Sequence, residues 1–168
     1  MCHLPVTAAG ESVSVIMNAG TGNAAAAEQV QVWVGASVEF HPTVLLSHVY
    51  QAVQAVGWPK ADAALFRETP EPVLRTILTY CYAAGIWSSE DIQAACLHDP
   101  TVRYICANDF PSWPVIREFR RRNLPWLSLA LQHLLRSITQ NSRVSDVRRE
   151  AERRLARAIQ ADSNAMDD

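Results

Sequence analysis

Thr69-Pro-Glu-Pro-Val-Leu-Arg-Thr-Ile-Leu-Thr-Tyr-Cys-Tyr-Ala-Ala-Gly-Ile-Trp-Ser-Ser-Glu-Asp-Ile92 reads as a helix, its stop and the start of a second helix. Thr69 is able to cap, and Pro70 and Pro72 suit a first turn, where the missing N–H has no intrahelical partner to lose. Leu74, Ile77, Leu78 and Cys81 then fall on one face at helical spacing, and Gly85 is the expected stop. Ser88-Ser-Glu-Asp91 has the form of a capping box, and it starts a helix whose inner face is Ile92, Ala95 and Cys96. Asp99-Pro100 repeats the cap-then-proline signal for a short helix through Ile105.

The same punctuation continues downstream. Ser112 is a candidate cap for a helix through Asn123, and Leu124-Pro125 breaks and restarts it. Leu127, Leu131, Leu134, Leu135 and Ile138 then form a strong apolar stripe. Asn141-Ser142 is a break, and a last helix from Val144 to about Gln160 carries a narrower stripe of Val147, Ala151, Leu155 and Ala158. Upstream, Val44, Leu45, Val49, Ala52, Val53 and Val56 follow helical spacing between Pro42 and Gly57. Val30-x-Val32-x-Val34 alternates as a strand does, with no evident partner strand after it. Residues 1–28 are rich in Gly, Ala, Ser, Thr and Asn and are expected to form a flexible leader. Gly20-x-Gly22 within them lacks the third glycine, the lysine and the preceding strand of a phosphate loop, so it reads as linker.

The expected fold is therefore all-α: a compact multi-helix domain with a helix-turn-helix-like element and a flexible N-terminal leader. Its segments are the leader at 1–28, a partly helical extension at 29–68, a helical domain at 69–140, and a basic amphipathic helix with an acidic tail at 141–168. With 168 residues and 49% apolar content, the chain can bury one substantial core.

The net charge of −2 conceals a polarity along the chain. Residues 1–99 carry a net −6, residues 100–160 carry twelve arginines and a net +7, and the last eight residues add three aspartates. Such asymmetry points to a polyanionic partner for the basic half. On the Ser112 helix, Val115, Ile116 and Phe119 gather on one side and Arg117, Arg120 and Arg121 on the other, with Arg122 toward the flank. Arg103 and Tyr104 lie on the preceding short helix, which a turn of about four residues separates from this one, in an arrangement that resembles a helix-turn-helix. From spacing alone, a solvated arginine face, or one paired with the acidic N-terminal half, is an equal reading. The last helix adds Arg148, Arg149, Arg153, Arg154 and Arg157, with Arg148–Glu152 and Glu150–Arg154 as i,i+4 pairs.

Other chemistry has less to stand on. Cys2, Cys81, Cys96 and Cys106 form no CxxC pair, and three of them read as small core residues of a protein in a reducing cytosol. Cys96, His98 and Cys106 lack a fourth ligand at a recognisable interval, so neither a metal nor any other cofactor is expected. No nucleophile elbow and no paired carboxylates suggest a catalytic centre. No apolar run of about 18 residues argues for a membrane span.

Four segments in order carry a family resemblance: Pro72-Val-Leu-Arg-Thr-Ile-Leu-Thr-Tyr-Cys-Tyr-Ala-Ala-Gly-Ile86, Ser88-Ser-Glu-Asp-Ile92, Asp99-Pro-Thr-Val-Arg-Tyr-Ile105 and Phe110-Pro-Ser-Trp-Pro-Val-Ile-Arg-Glu-Phe-Arg-Arg-Arg-Asn123. Together they resemble the N-terminal helical domain of DDE-type insertion-sequence transposases, the InsH-type domain. The resemblance runs from Thr69 to about Ser137. It departs from the family at Pro111-Ser-Trp-Pro-Val-Ile116, where the family commonly has Pro-Asp, then His or Arg and Thr-Ile. It implies a helical module that binds the DNA at element ends or assembles a transposase there, with Arg103, Tyr104, Arg117, Arg120, Arg121 and Arg122 as the residues carried over. The family's three metal-binding carboxylates sit on a separate domain that the roughly thirty residues after Ser137 cannot supply.

The functional expectation is a non-catalytic, cytoplasmic, nucleoid-associated protein that binds double-stranded DNA, as a transposition component or a truncated transposase remnant, through those residues with Arg148 and Arg149. The alternative is a helical interaction module that pairs with itself or with a full-length transposase through the Leu127 to Ile138 stripe and the last helix.

Overall fold

The computed structural model describes residues 29–33, 37–57, 69–107, 109–139 and 143–164. The expected leader at 1–28 and the Asn141-Ser142 break lie outside them. Two short strands, β1 (Val30–Trp33) and β2 (Ser37–Phe40), precede six helices: α1 (Pro42–Val56), α2 (Glu71–Ala84), α3 (Ser89–His98), α4 (Pro100–Cys106), α5 (Trp113–Ile138) and α6 (Val144–Asn164). The all-α expectation holds, with one addition. The alternating stretch does find a partner, three residues further along the same stretch: β1 and β2 pair antiparallel, Val30 opposite Phe40 and Val32 opposite Val38.

The helix ends follow the chemistry of their residues. Ser88 accepts a hydrogen bond from Asp91 N at 3.0 Å, which satisfies one orphan donor of α3. Asp99 Oδ1 accepts from both Thr101 N and Val102 N at 2.8 Å and so starts α4. Gly85 takes the left-handed conformation at φ 88° that closes α2, and Ile86 N folds back to Cys81 O. The cap of α2 falls on Pro70, not on Thr69, which is buried; Val73 N and Leu74 N bond the Pro70 carbonyl instead of a side chain.

α5 is one long helix with a kink in place of a complete break. Pro125 has no N–H to donate to the preceding turn, and the distortion falls at Asn123, at φ −117° and ψ 18°. Asn123 Nδ2 donates to Phe119 O at 2.8 Å and satisfies a carbonyl at the distorted turn.

α5 is the central element, packed against α1, α2, α3 and α6. Leu127, Leu131, Leu134 and Leu135 are fully buried there, and Val147, Ala151, Leu155 and Ala158 of α6 are buried in the same core. That core runs without interruption from Val32 of β1 and Leu45 and Val49 of α1 to Ala158 of α6, across the expected segment boundaries. Trp126 Nε1 donates to Gly57 O at 2.7 Å and ties the end of α1 to α5. Cys81, Cys96 and Cys106 are buried free thiols, as a core role requires. No helix among the described residues is long and apolar enough to cross a membrane.

The helix-turn-helix element is not confirmed. α4 packs on α2 and α3 through Val102, Ile105 and Cys106, whereas α5 packs on α1, α2, α3 and α6, and α4 and α5 barely touch.

Candidate nucleic-acid interface

The first turns of α5 divide their arginines between two environments. Arg120 is 3% exposed. Its Nη1 donates to Tyr82 Oη at 3.2 Å, and its Nη2 donates to the Asp162 carboxylate. Asp162 also accepts from Ser89 N at 2.7 Å and from Ser89 Oγ at 2.8 Å, so one buried carboxylate joins α6 to α5 and to the first residue of α3. Burial pushes the Tyr82 phenol up, and the Arg120 charge and hydrogen bond offset this only in part. Arg120 therefore does not point outward with Arg117 and Arg121, as its place in the arginine run suggested. At about 100° per residue it lies only about 40° from buried Ile116, which was the available signal.

A second buried pair braces the other end of this seam. Arg154 Nε donates to Glu150 at 2.8 Å, and its Nη1 donates to Tyr82 O and Ala83 O at 2.6 and 2.8 Å, at the last carbonyls of α2. Burial lowers the Arg154 pKa and Glu150 opposes that shift. Arg154 lies between Ala151 and Leu155 on the apolar stripe of α6, so the Glu150–Arg154 pair is an interior contact.

What remains at the surface of α5 is Arg121 and Arg122, which share one carboxylate, and the half-buried Arg117. Arg121 Nη2 lies 2.9 Å from Glu118, and Arg122 Nε donates to the same side chain. The Arg122 and Arg121 hydrogen bonds hold the Glu118 carboxyl below the usual carboxylate range. Arg117 turns its Nε edge toward Asp162 at 3.9 Å. Trp113, Pro114, Arg117, Glu118 and Arg121 line a shallow cleft. The Ser112 side chain makes no cap bond; Gln93 Oε1 of α3 accepts from Trp113 N at 2.6 Å in that region.

The other nominated residues lie elsewhere. Arg103 and Tyr104 are exposed on α4, Tyr104 by 73%, and Tyr104 is near enough to Tyr50 of α1 to add to the effect of burial in raising that phenol's pKa. Arg148 and Arg149 are exposed on the first half of α6, paired with Glu152 at 2.8 Å and with Asp146 at 3.9 Å. Fourteen residues of helix separate Arg148 from Asp162, about 21 Å at 1.5 Å per residue, so this pair is remote from the Arg117 cluster. Among the described residues, no group of three or more His, Cys, Asp or Glu is placed to hold a metal ion.

Asp162 and Trp113 are the residues that sequence reasoning missed. Asp162 continues the row Val147, Ala151, Leu155, Ala158 by one more helical step, which was the signal for it, although it resembles the acidic tail it adjoins. No family model matches this chain, and no curated protein or solved structure matches it either.

Proposed function

We propose that this chain is a non-catalytic DNA-binding protein whose contact is made by the first turns of α5. The observation that carries this reading is the outward excess of positive charge on α5, where Arg121 and Arg122 share the single carboxylate of Glu118 and the half-buried Arg117 lies beside them at the edge of the buried Arg120–Asp162 pair. Guanidinium groups suit phosphate because they present several donors in a planar fork. A partly exposed internal ion pair gives little stability, so a phosphate competes with Glu118 at small cost.

In the setting implied by the transposase resemblance, the DNA is the end of a mobile element and the protein is cytoplasmic and nucleoid-associated. Arg103, Tyr104, Arg148 and Arg149 then add contacts outside the α5 cluster. In the alternative, an interaction module, the stripe of Leu127, Leu131, Leu134 and Leu135 is buried within the chain, and the outer face of the last helix, with Val144 and Ile159 exposed, is the pairing surface that remains.

Titration of duplex DNA by fluorescence anisotropy tests the proposal. Binding that weakens with salt and is reduced by R117A/R121A/R122A, with a smaller reduction for R148A/R149A, supports it. Absence of binding at low salt refutes it.

A further inference from the structure

The cleft at the start of α5 contains more than phosphate contacts require. Trp113, Arg117 and Arg121 are spaced four residues apart, so they form one row along the helix, rising about 6 Å at each step. Trp113 is 40% exposed, so its indole is open to a ligand, whereas Trp126 is buried. Its place is fixed from below by the Gln93 hydrogen bond to its backbone N–H. The cleft has a volume of about 320 Å³, at the small end of the range that small-molecule sites occupy.

Resting on the DNA-binding reading above, we infer that this cleft takes an unpaired nucleotide, with its base stacked on the Trp113 indole and its flanking phosphates on Arg117 and Arg121. An indole face stacks only on a base whose own face is open, and in a blunt duplex every face except the outer ones of the two terminal pairs is covered by a neighbouring pair. Aromatic stacking beside a basic row is the chemistry by which proteins hold single-stranded nucleic acid without reading its sequence. The preferred ligand is therefore DNA with a single-stranded end or an extrahelical base.

The test compares three labelled oligonucleotides of the same sequence: a blunt duplex, the duplex with a short single-stranded overhang, and the single strand. Each is titrated against the full chain and against W113A, W113F and R117A/R121A. The wild type binds the overhang form more tightly than the blunt form. W113A loses roughly 5- to 150-fold on the overhang and the single strand, the size expected for one stacked base, with the blunt duplex nearly unaffected. W113F keeps most of the affinity, and R117A/R121A weakens all three ligands. Thermal melts of the variants confirm that the exposed substitution leaves the fold intact. Equal affinity for blunt and overhang forms in the wild type, or an equal reduction on both in W113A, overturns this inference and leaves duplex binding standing. No binding to any of the three overturns both.

Discussion

The Arg120 guanidinium donates to the Asp162 carboxylate inside the protein, joining the middle helix of the fold to the end of its last one. Both side chains are almost completely buried, and Ser89 and Tyr82 complete the network. Such a pair gives weak net stabilisation when intact, but removing one partner strands the other charge away from water.

Asp162→Ala is therefore expected to destabilise the fold by roughly 3–5 kcal/mol, the usual cost of an uncompensated buried charge. Asp162→Asn keeps an acceptor for Ser89 and is expected to cost less. Urea denaturation followed by circular dichroism measures both; an Asp162→Ala chain as stable as the wild type contradicts the buried network.

The Glu150–Arg154 pair leads to a different expectation, because two apolar side chains can replace it. Arg154→Ala takes the donor from two carbonyls of α2 and leaves Glu150 with the half-exposed Arg153 alone, and is expected to cost about 3 kcal/mol, the low end for breaking a buried pair. The double variant E150L/R154M removes both charges and is expected to be more stable than R154A alone. A double variant less stable than R154A counts against a buried pair at this position.

Tyr82 gives the fold an alkaline limit. Burial raises its pKa in the folded chain, with Arg120 opposing in part, so the folded state holds the phenolic proton to a higher pH than the unfolded state does. That contribution is fully present below the ordinary tyrosine pKa of about 10 and disappears as pH rises beyond it. Tm is expected to fall more steeply above about pH 10 in the wild type than in Tyr82→Phe, although Tyr82→Phe starts lower by about 1 kcal/mol because it cannot accept the Arg120 hydrogen bond. Parallel curves for the two proteins rule out this role for Tyr82.

Asp99 caps α4 through two backbone N–H groups, so Asp99→Ala is expected to cost about 1 kcal/mol. Asp99→Ser is expected to recover much of it. Denaturant midpoints of the three proteins decide this, and an unchanged midpoint in Asp99→Ala refutes the cap.

The sequence shows most plainly what depends on near neighbours. Ser88, Asp99 and Gly85 act within a single turn, so their caps and stop are legible from residue type and spacing alone. The apolar stripes of α5 and α6 are legible for the same reason, since helical period decides which side is buried. Arg120 and Asp162 are harder because they are partners 42 residues apart, and Arg154 because, beside its neighbour Glu150, it meets the distant carbonyls of Tyr82 and Ala83. Composition marks the three as surface groups, and only their angular position beside Ile116, Ala151 and Ala158 marks them as interior. The candidate interface was half legible: the arginine run was visible, but its division into the buried Arg120, the half-buried Arg117 and the outward Arg121 and Arg122 requires the α6 contact. The β1–β2 pair was missed because its partner strand is short and follows at once in the same stretch.

Arg117, Arg121 and Arg122 are proposed to meet DNA phosphates while Arg120 supports the fold, so Arg120 must stay intact in any binding test. The most direct measurement is the salt dependence of duplex affinity for the wild type and for R121A/R122A. If each arginine meets a phosphate, the slope of log affinity against log salt becomes shallower by about 0.9 for each arginine removed, close to 2 in all. An unchanged slope with unchanged affinity would place the DNA-binding surface elsewhere and contradict the assignment to α5.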